Sequence, residues 1–205
     1  MKTRSPSAII IPTALLVALT SIPVSGCRSI TRGCKTPAQA KARLAAAVAA
    51  RDPAQLWRAL DLDTQWSWMT ILRAGRESYD ITLSNVPEGP QRERLIRRFE
   101  AAATSQNVTT LFAQSLAPDT WPALAAQLAA AGDRAPVENA LGTEAEIVWP
   151  TGRLVFRKAT RPSFGWGFAG LADQANDLKR AASEDLNALR TNAAEYERAA
   201  TRGLR

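Results

Sequence analysis

The hydrophobic pattern of the chain changes at the stretch Glu144-Ala145-Glu146-Ile147-Val148-Trp149-Pro150-Thr151-Gly152-Arg153-Leu154-Val155-Phe156-Arg157-Lys158. Apolar residues recur there at every second position, with Ile147 before the Pro150-Thr151-Gly152 turn and Leu154 and Phe156 after it. Alternation with a period of two, interrupted by a Pro and Gly turn, is typical of a β-hairpin with one buried face. The segment Phe164-Gly165-Trp166-Gly167-Phe168 predicts a third strand, which its two glycines weaken.

Before this stretch the chain shows helical spacing and repeated helix starts. In Thr36-Pro37-Ala38-Gln39 the threonine is expected to cap a helix, with proline at the first helical position and glutamine as the returning partner. Asp52-Pro53-Ala54-Gln55 repeats this start. Asp63 is expected to cap a longer third helix that runs to about Ile81. The buried face of that helix is predicted to hold Trp68, Ile71, Leu72, Gly75 and Tyr79.

Further helices are predicted from Pro90, from Val108 and, capped by Thr120, up to Gly132. A long last helix is predicted from about Leu171 to Ala200. We expect its first half to pack on the hairpin, and its second half to project and offer a surface to a protein partner. The predicted fold class is therefore α+β and mainly helical, with N-terminal helices, a short antiparallel two- or three-stranded meander and a long C-terminal helix.

The N-terminal segment has the layout of a secretory signal peptide. Lys2 and Arg4 supply positive charge, and an uncharged apolar run follows from Ile9 to Ile22. This run is shorter than the roughly 20 apolar residues that a membrane-spanning helix needs. One interpretation is an ordinary signal peptide, in which Cys27 is present by chance; the alternative is a lipoprotein signal.

Val24-Ser25-Gly26-Cys27, directly after the apolar run, resembles the lipobox of bacterial lipoproteins. The resemblance implies recognition of Val24, Ser25 and Gly26 by a signal peptidase, cleavage before Cys27, and attachment of lipid, palmitate among it, to Cys27. Two or more acyl chains would hold a soluble domain stably on a bilayer. Arg28 stands where an aspartate often signals inner-membrane retention, which favours the outer membrane with the domain facing the periplasm.

The chain then divides into a signal peptide (1–26), a lipidated cysteine with a short tether (27–35) and a single globular domain with its long C-terminal helix (36–205). Cys34 is expected to be either a spectator thiol or a link between two copies. The net charge is +7, and basic residues near Cys27 would either lie in a solvated linker or approach anionic lipid. Nucleic acid is not an expected partner, because an exported lipoprotein rarely meets it.

The order of an Ala-rich helix, Asp52, a second helix and a later meander near Trp166 also resembles small lipoproteins of the nuclear-transport-factor-2-like cone fold. In that family an aspartate often follows the first helix and a tryptophan often lies in a late strand. The helices between Thr64 and Gly132, and the long helix after the strands, depart from the family pattern. The resemblance implies no functional residue here.

The composition limits the chemistry. The chain has no histidine, which excludes Ser-His-Asp and Cys-His catalysis and the usual zinc and copper sites. Asp61 and Asp63 precede two tryptophans, as in a sugar site, but the favoured interpretation is a solvated Asp61 and a capping Asp63. No catalytic residue, metal or cofactor is expected.

Tryptophans are frequent in this chain. Trp57, Trp68 and Trp149 occupy apolar stripes and are expected in the core. Trp66, Trp121 and Trp166 could line a pocket for an apolar or glycan ligand. The sequence thus favours a non-enzymatic accessory or scaffold lipoprotein of the cell envelope, with a lipoprotein that binds a small ligand as the alternative.

Overall fold

The computed structural model describes residues 33–160 and 165–203, with side chains as far as residue 195 and at residue 198. The predicted signal peptide, Cys27 and Phe164 therefore lie outside the described residues, as does the side chain of Tyr196. The elements, in chain order, are α1 (Pro37–Ala50), α2 (Pro53–Ala59), α3 (Leu62–Asn85), α4 (Pro90–Thr104), α5 (Val108–Ser115), α6 (Thr120–Ala131), β1 (Val137–Glu138), β2 (Glu144–Trp149), β3 (Gly152–Lys158), β4 (Trp166–Phe168) and α7 (Ala172–Gly203). This confirms the predicted α+β, mainly helical class.

The strands form one antiparallel sheet in the order β1-β2-β3-β4. Ile147 lies opposite Leu154, and Ala145 lies opposite Phe156. All four side chains are buried, so the alternation in the sequence correctly predicted the inner face. The edge strand β1 was not predicted, because two residues are too few to show a period of two.

The first two helix starts are confirmed in detail. Thr36 Oγ1 accepts a hydrogen bond from the Gln39 N–H at 3.2 Å, and Gln39 Oε1 accepts one from the Lys35 N–H at 3.1 Å. At α2, Asp52 Oδ1 accepts a hydrogen bond from the Ala54 N–H at 2.8 Å. These bonds satisfy backbone donors that have no partner within the helix.

The predicted cap of the third helix is wrong. Asp61, not Asp63, is the N-cap of α3, and its Oδ1 accepts a hydrogen bond from the Thr64 N–H at 3.2 Å. The cause lies in the sheet, because the Asp61 N–H donates to Phe168 O at 2.9 Å and so holds Asp61 in extended conformation. The start of α6 also differs by one residue, since Asp119 is its N-cap and Thr120 its first residue.

The main core joins the helices to the inner face of the sheet around an aromatic cluster. The Phe112 ring lies 5.6 Å from the Trp57 ring and 5.4 Å, edge to face, from the Trp68 ring. Trp57 and Trp68 are both buried, which confirms their predicted place. Such aromatic contacts add to the free energy gained by burial of the rings.

The predicted position of α7 is wrong. The helix packs mainly along α3 rather than on the hairpin, and Ser67 Oγ donates to Asn176 Oδ1 at 3.0 Å. The face of α3 here carries small buried residues such as Ser78, which let two helices approach closely. Leu178, expected to pack on the hairpin, is 40% exposed.

The second half of α7 does not project where it is described. Leu189 is buried in a second core cluster with Val86 and Phe99, and Arg190 forms an ion pair with Glu77 of α3. The predicted independence of this half-helix is therefore wrong as far as residue 190.

Candidate functional site

The chain enters the folded domain at Cys34, which pairs with β4. The Cys34 N–H donates to Trp166 O, and the Trp166 N–H donates to Cys34 O, both at 2.7 Å. Cys34 is 6% exposed and belongs to the main core. By these contacts Cys34, which was predicted to lie in the tether, packs with the domain. We call this pair of residues the Cys34–Trp166 bridge.

The Cys34 thiol is free and buried. Burial raises the pKa of this thiol above its ordinary value, and the positive charge of Arg43 lowers it by a smaller amount. Only the thiolate attacks disulfides, so the higher pKa and the burial both make Cys34 unreactive. The position favours a spectator role in packing over a link between two copies.

Basic side chains surround the Cys34–Trp166 bridge. Lys35 is exposed and follows Cys34 directly. Lys158 lies opposite Trp166 in the sheet, and its Nζ is 5.8 Å from the centre of the Trp166 ring. Arg43 is close enough to lower the pKa of the Cys34 thiol, and its Nη1 donates to Arg58 O at 3.3 Å. We call Lys35, Arg43 and Lys158 the basic rim. Sequence reasoning missed Lys158, because only the fold brings it beside Cys34.

Asp61 is a buried carboxyl at the junction of α3 and β4, not the solvated residue that the sequence suggested. It is 3% exposed, and its Oδ2 has no hydrogen-bond partner among the described residues. Burial raises the pKa of Asp61 above its ordinary value of 3.8. Hydrogen bonds from Thr64 lower the pKa of Asp61 by a smaller amount. The negative charge of Asp63 raises it further, and the positive charge of Arg157 lowers it. The carboxyl is therefore easier to protonate than a surface aspartate.

The three tryptophans proposed to line a pocket have different environments. Trp66 is 46% exposed on α3, Trp166 is 2% exposed in β4, and Trp121 is half-buried on α6. None of them lines any of the three grooves described next. The helix explains Trp66, because it lies two positions before the buried Trp68 and this spacing turns it to another side of α3.

An apolar groove opens between α3, α4, α5 and α7. It has a volume of about 270 Å³ and is lined by Ile71, Phe99, Leu111 and Leu178 among others. Arg98 and Asp185, which also line it, form an ion pair at 2.5 Å. We call this the helical groove. Its shape follows from Gly75, whose missing side chain lets α4 approach α3 at Ala102.

Two other depressions are present in the described residues. A crevice of about 120 Å³ between α4 and α7 is lined by Leu95, Phe99 and Leu189 among others. A wider groove of about 440 Å³ lies along β1 and β2, beside the exposed Val137 and Val148. Asp61 lines none of these three depressions.

Within residues 33–160 and 165–203, no group of three or more His, Cys, Asp or Glu side chains is placed to hold a metal ion. The helices of the same residues include none that is long and apolar enough to cross a membrane. Comparisons of the chain with protein-family models, with curated proteins and with solved structures found no match.

Proposed function

We propose that this protein is a lipoprotein, anchored in the outer membrane through Cys27, that acts as a non-enzymatic accessory or scaffold protein of the cell envelope. One observation supports it most. The lipobox-like residues 24–27 end only seven residues before Cys34, which is fixed in the sheet by two hydrogen bonds. Seven residues of extended chain reach at most about 25 Å. A lipid on Cys27 would hold the whole domain at the bilayer surface.

The anchor is tested by Cys27→Ser, with Cys34→Ser as the matched control. In the native host, the first variant should lose detergent-phase partitioning and the lipid mass on the N-terminal peptide, because it lacks the thiol that carries the lipid. Cys34→Ser should keep both, since Cys34 is buried in the domain. An unmodified Cys27 peptide from native membranes would contradict the proposal.

The scaffold role draws on a surface that the structure leaves open to a partner. Leu178 of α7 is 40% exposed at the helical groove, beside the small side chains of Ala181 and Ala182. Apolar surface rimmed by an ion pair is typical of protein contact sites. Leu178→Glu should weaken co-purification of an envelope protein with the lipidated chain. Leu83→Glu is the matched control, because Leu83 is 41% exposed and lies outside the groove.

Binding of a small apolar ligand in the helical groove is the second candidate function. Phe99 and Leu111 are buried and form apolar walls, and a volume of about 270 Å³ suits part of an acyl chain. Titration with a fluorescent fatty acid tests it. Saturable binding lost in Leu178→Glu and kept in Leu83→Glu would favour the ligand, whereas no binding together with a lost protein partner would favour the scaffold.

A further inference from the structure

The position of the Cys34–Trp166 bridge limits which end of the domain can lie near the bilayer. This inference rests on the proposed lipid anchor at Cys27. The tether between Cys27 and Cys34 reaches at most about 25 Å, whereas α7, with 32 residues, is about 48 Å long. The end of the domain at Cys34 must then stay near the membrane, while more distant parts of the helices extend away from it.

The charges at this end favour an anionic surface. Lys35 and Lys158 are exposed, and neither forms an ion pair with a carboxylate in the part of the chain that the structure describes. Elsewhere on β3, by contrast, Arg153 and Arg157 are each paired with a glutamate of β2. The two lysines therefore keep their charge available for an external anion.

We propose that the basic rim rests on anionic phospholipid headgroups of the bilayer that holds Cys27, and so fixes the orientation of the domain. Each basic residue close to an anionic membrane strengthens association by roughly fivefold. Charges act over about 8–10 Å at physiological salt. The tether could hold the domain farther away than this, so the lipid anchor alone does not determine the orientation and the basic rim does.

Lysine labelling provides a direct test, because the chain after residue 27 has only four lysines: Lys35, Lys41, Lys158 and Lys179. The lipidated protein is reconstituted into vesicles of phosphatidylcholine, with or without phosphatidylglycerol. A membrane-impermeant amine reagent is added, and labelling at each lysine is measured by mass spectrometry. We expect phosphatidylglycerol to slow labelling of Lys35 and Lys158 at least threefold, and 1 M NaCl to remove the difference. Lys179, on α7, should label equally in both vesicles.

Charge-reversal variants separate lipid contact from burial. Lys35→Glu combined with Lys158→Glu should lose the orientation that phosphatidylglycerol imposes, which cross-linking to the headgroups would report. The matched control is Arg73→Glu combined with Arg94→Glu, two exposed positions on α3 and α4, and it should behave like the unchanged protein. Headgroup cross-linking at Arg43, the residue of the basic rim that both double variants keep, supports the proposal when the control shows it and the first variant does not.

Three results would overturn it: equal labelling of Lys35 and Lys158 in both vesicle types, protection of Lys179 instead, or the same loss in both double variants. Failure of the anchor itself is read separately, from the mass of the Cys27 peptide. If that peptide carries lipid and the lysines show no protection, only the orientation is wrong. If it carries none, the anchor and the orientation are both wrong.

Discussion

Gly167 of β4 lies directly against the backbone of Asp61. A Cβ at position 167 would come within 2.5 Å of both Asp61 Cα and Leu60 O. The same junction is joined by the hydrogen bond from the Asp61 N–H to Phe168 O at 2.9 Å. The glycine that weakened the sequence prediction of this strand is thus the residue that lets the start of α3 dock on the sheet.

Gly167→Ala should therefore destabilise the domain. The obstacle is backbone, which cannot move without breaking the bond to Phe168, so we expect a loss of about 1–3 kcal/mol or more in the free energy of unfolding. Urea denaturation of the chain from residue 27, carrying Cys27→Ser, measures it. A variant as stable as its parent would show that α3 is not held against β4.

Gly75→Ala provides an informative comparison. Its Cβ would lie 2.5 Å from the Cβ of Ala102, which is a side-chain atom that mutation can remove. Adding Ala102→Gly should restore the stability of Gly75→Ala. The double variant should still lose about 1 kcal/mol in α4, because glycine has a lower helix propensity than alanine. No second mutation of this kind can rescue Gly167→Ala.

Asp61 should make stability depend on pH. The pKa of its carboxyl is raised in the folded protein, so in the range above the ordinary value of 3.8 the folded state binds more protons than the unfolded state. Stability must then fall as the pH rises through that range, until the folded carboxyl is also ionised. Asp61→Asn keeps a cap for the Thr64 N–H without a charge, so its stability relative to the parent should grow with pH.

Urea denaturation at pH 4 and at pH 7.5 compares the two proteins. Asp61→Ala supplies the control for the cap, and it should lose about 1 kcal/mol relative to Asp61→Asn at either pH. A difference between parent and Asp61→Asn that stays constant with pH would contradict the role assigned to burial of the carboxyl.

Local sequence chemistry predicted much of this fold. The caps at Thr36 and Asp52, and the buried positions Ile147 and Leu154, depend on residues close together in the chain, and each was found as predicted. Asp61 and Asp63 show the limit of prediction from local sequence. Both aspartates stand at the start of a helical pattern, but Asp61 caps α3 and Asp63 lies in its first turn, and the bond from the Asp61 N–H to the distant Phe168 O distinguishes the two positions.

The partner of a helix is harder to predict than the helix. The apolar stripe of α7 showed that one side is buried, but several surfaces were apolar enough to receive it. On α3, Ser67 and Ser78 are small and buried, and Ser67 Oγ donates to Asn176 Oδ1 of α7, a contact that no local pattern predicts. The same limit applies to the proposed tryptophan pocket, because Trp66 and Trp166 could only be placed once the helices were packed.

Trp68→Ala should cost about 3–5 kcal/mol, as large aromatic truncations in cores do. Trp68 is 4% exposed and packs edge to face on Phe112. Trp66→Ala is the matched control on the same helix, and at 46% exposure it should cost less than about 1 kcal/mol. Urea denaturation of both variants tests the contrast, and similar losses would argue against the assigned core.

The end of α7 provides the last prediction. Three contacts of its second half are described: Leu189 is buried with Val86 and Phe99, Arg190 pairs with Glu77, and Asn192 lines the crevice between α4 and α7. Deleting residues 187–205 removes all three contacts and should destabilise the domain by about 2–4 kcal/mol, most of it from Leu189. Deleting only 193–205 leaves all three contacts in place and should cost less than about 1 kcal/mol.

Circular dichroism melting of the two truncated chains and of Leu189→Ala measures these losses, and sedimentation shows whether association changes with them. We expect Leu189→Ala to account for at least half of the effect of the longer deletion, because the Arg190–Glu77 pair is largely exposed and surface ion pairs contribute at most about 1 kcal/mol. Equal stability of the two truncated chains would mean that Leu189 does not join α7 to α4. Loss of partner binding in the shorter deletion, with unchanged melting, would instead place the scaffold contact beyond residue 192.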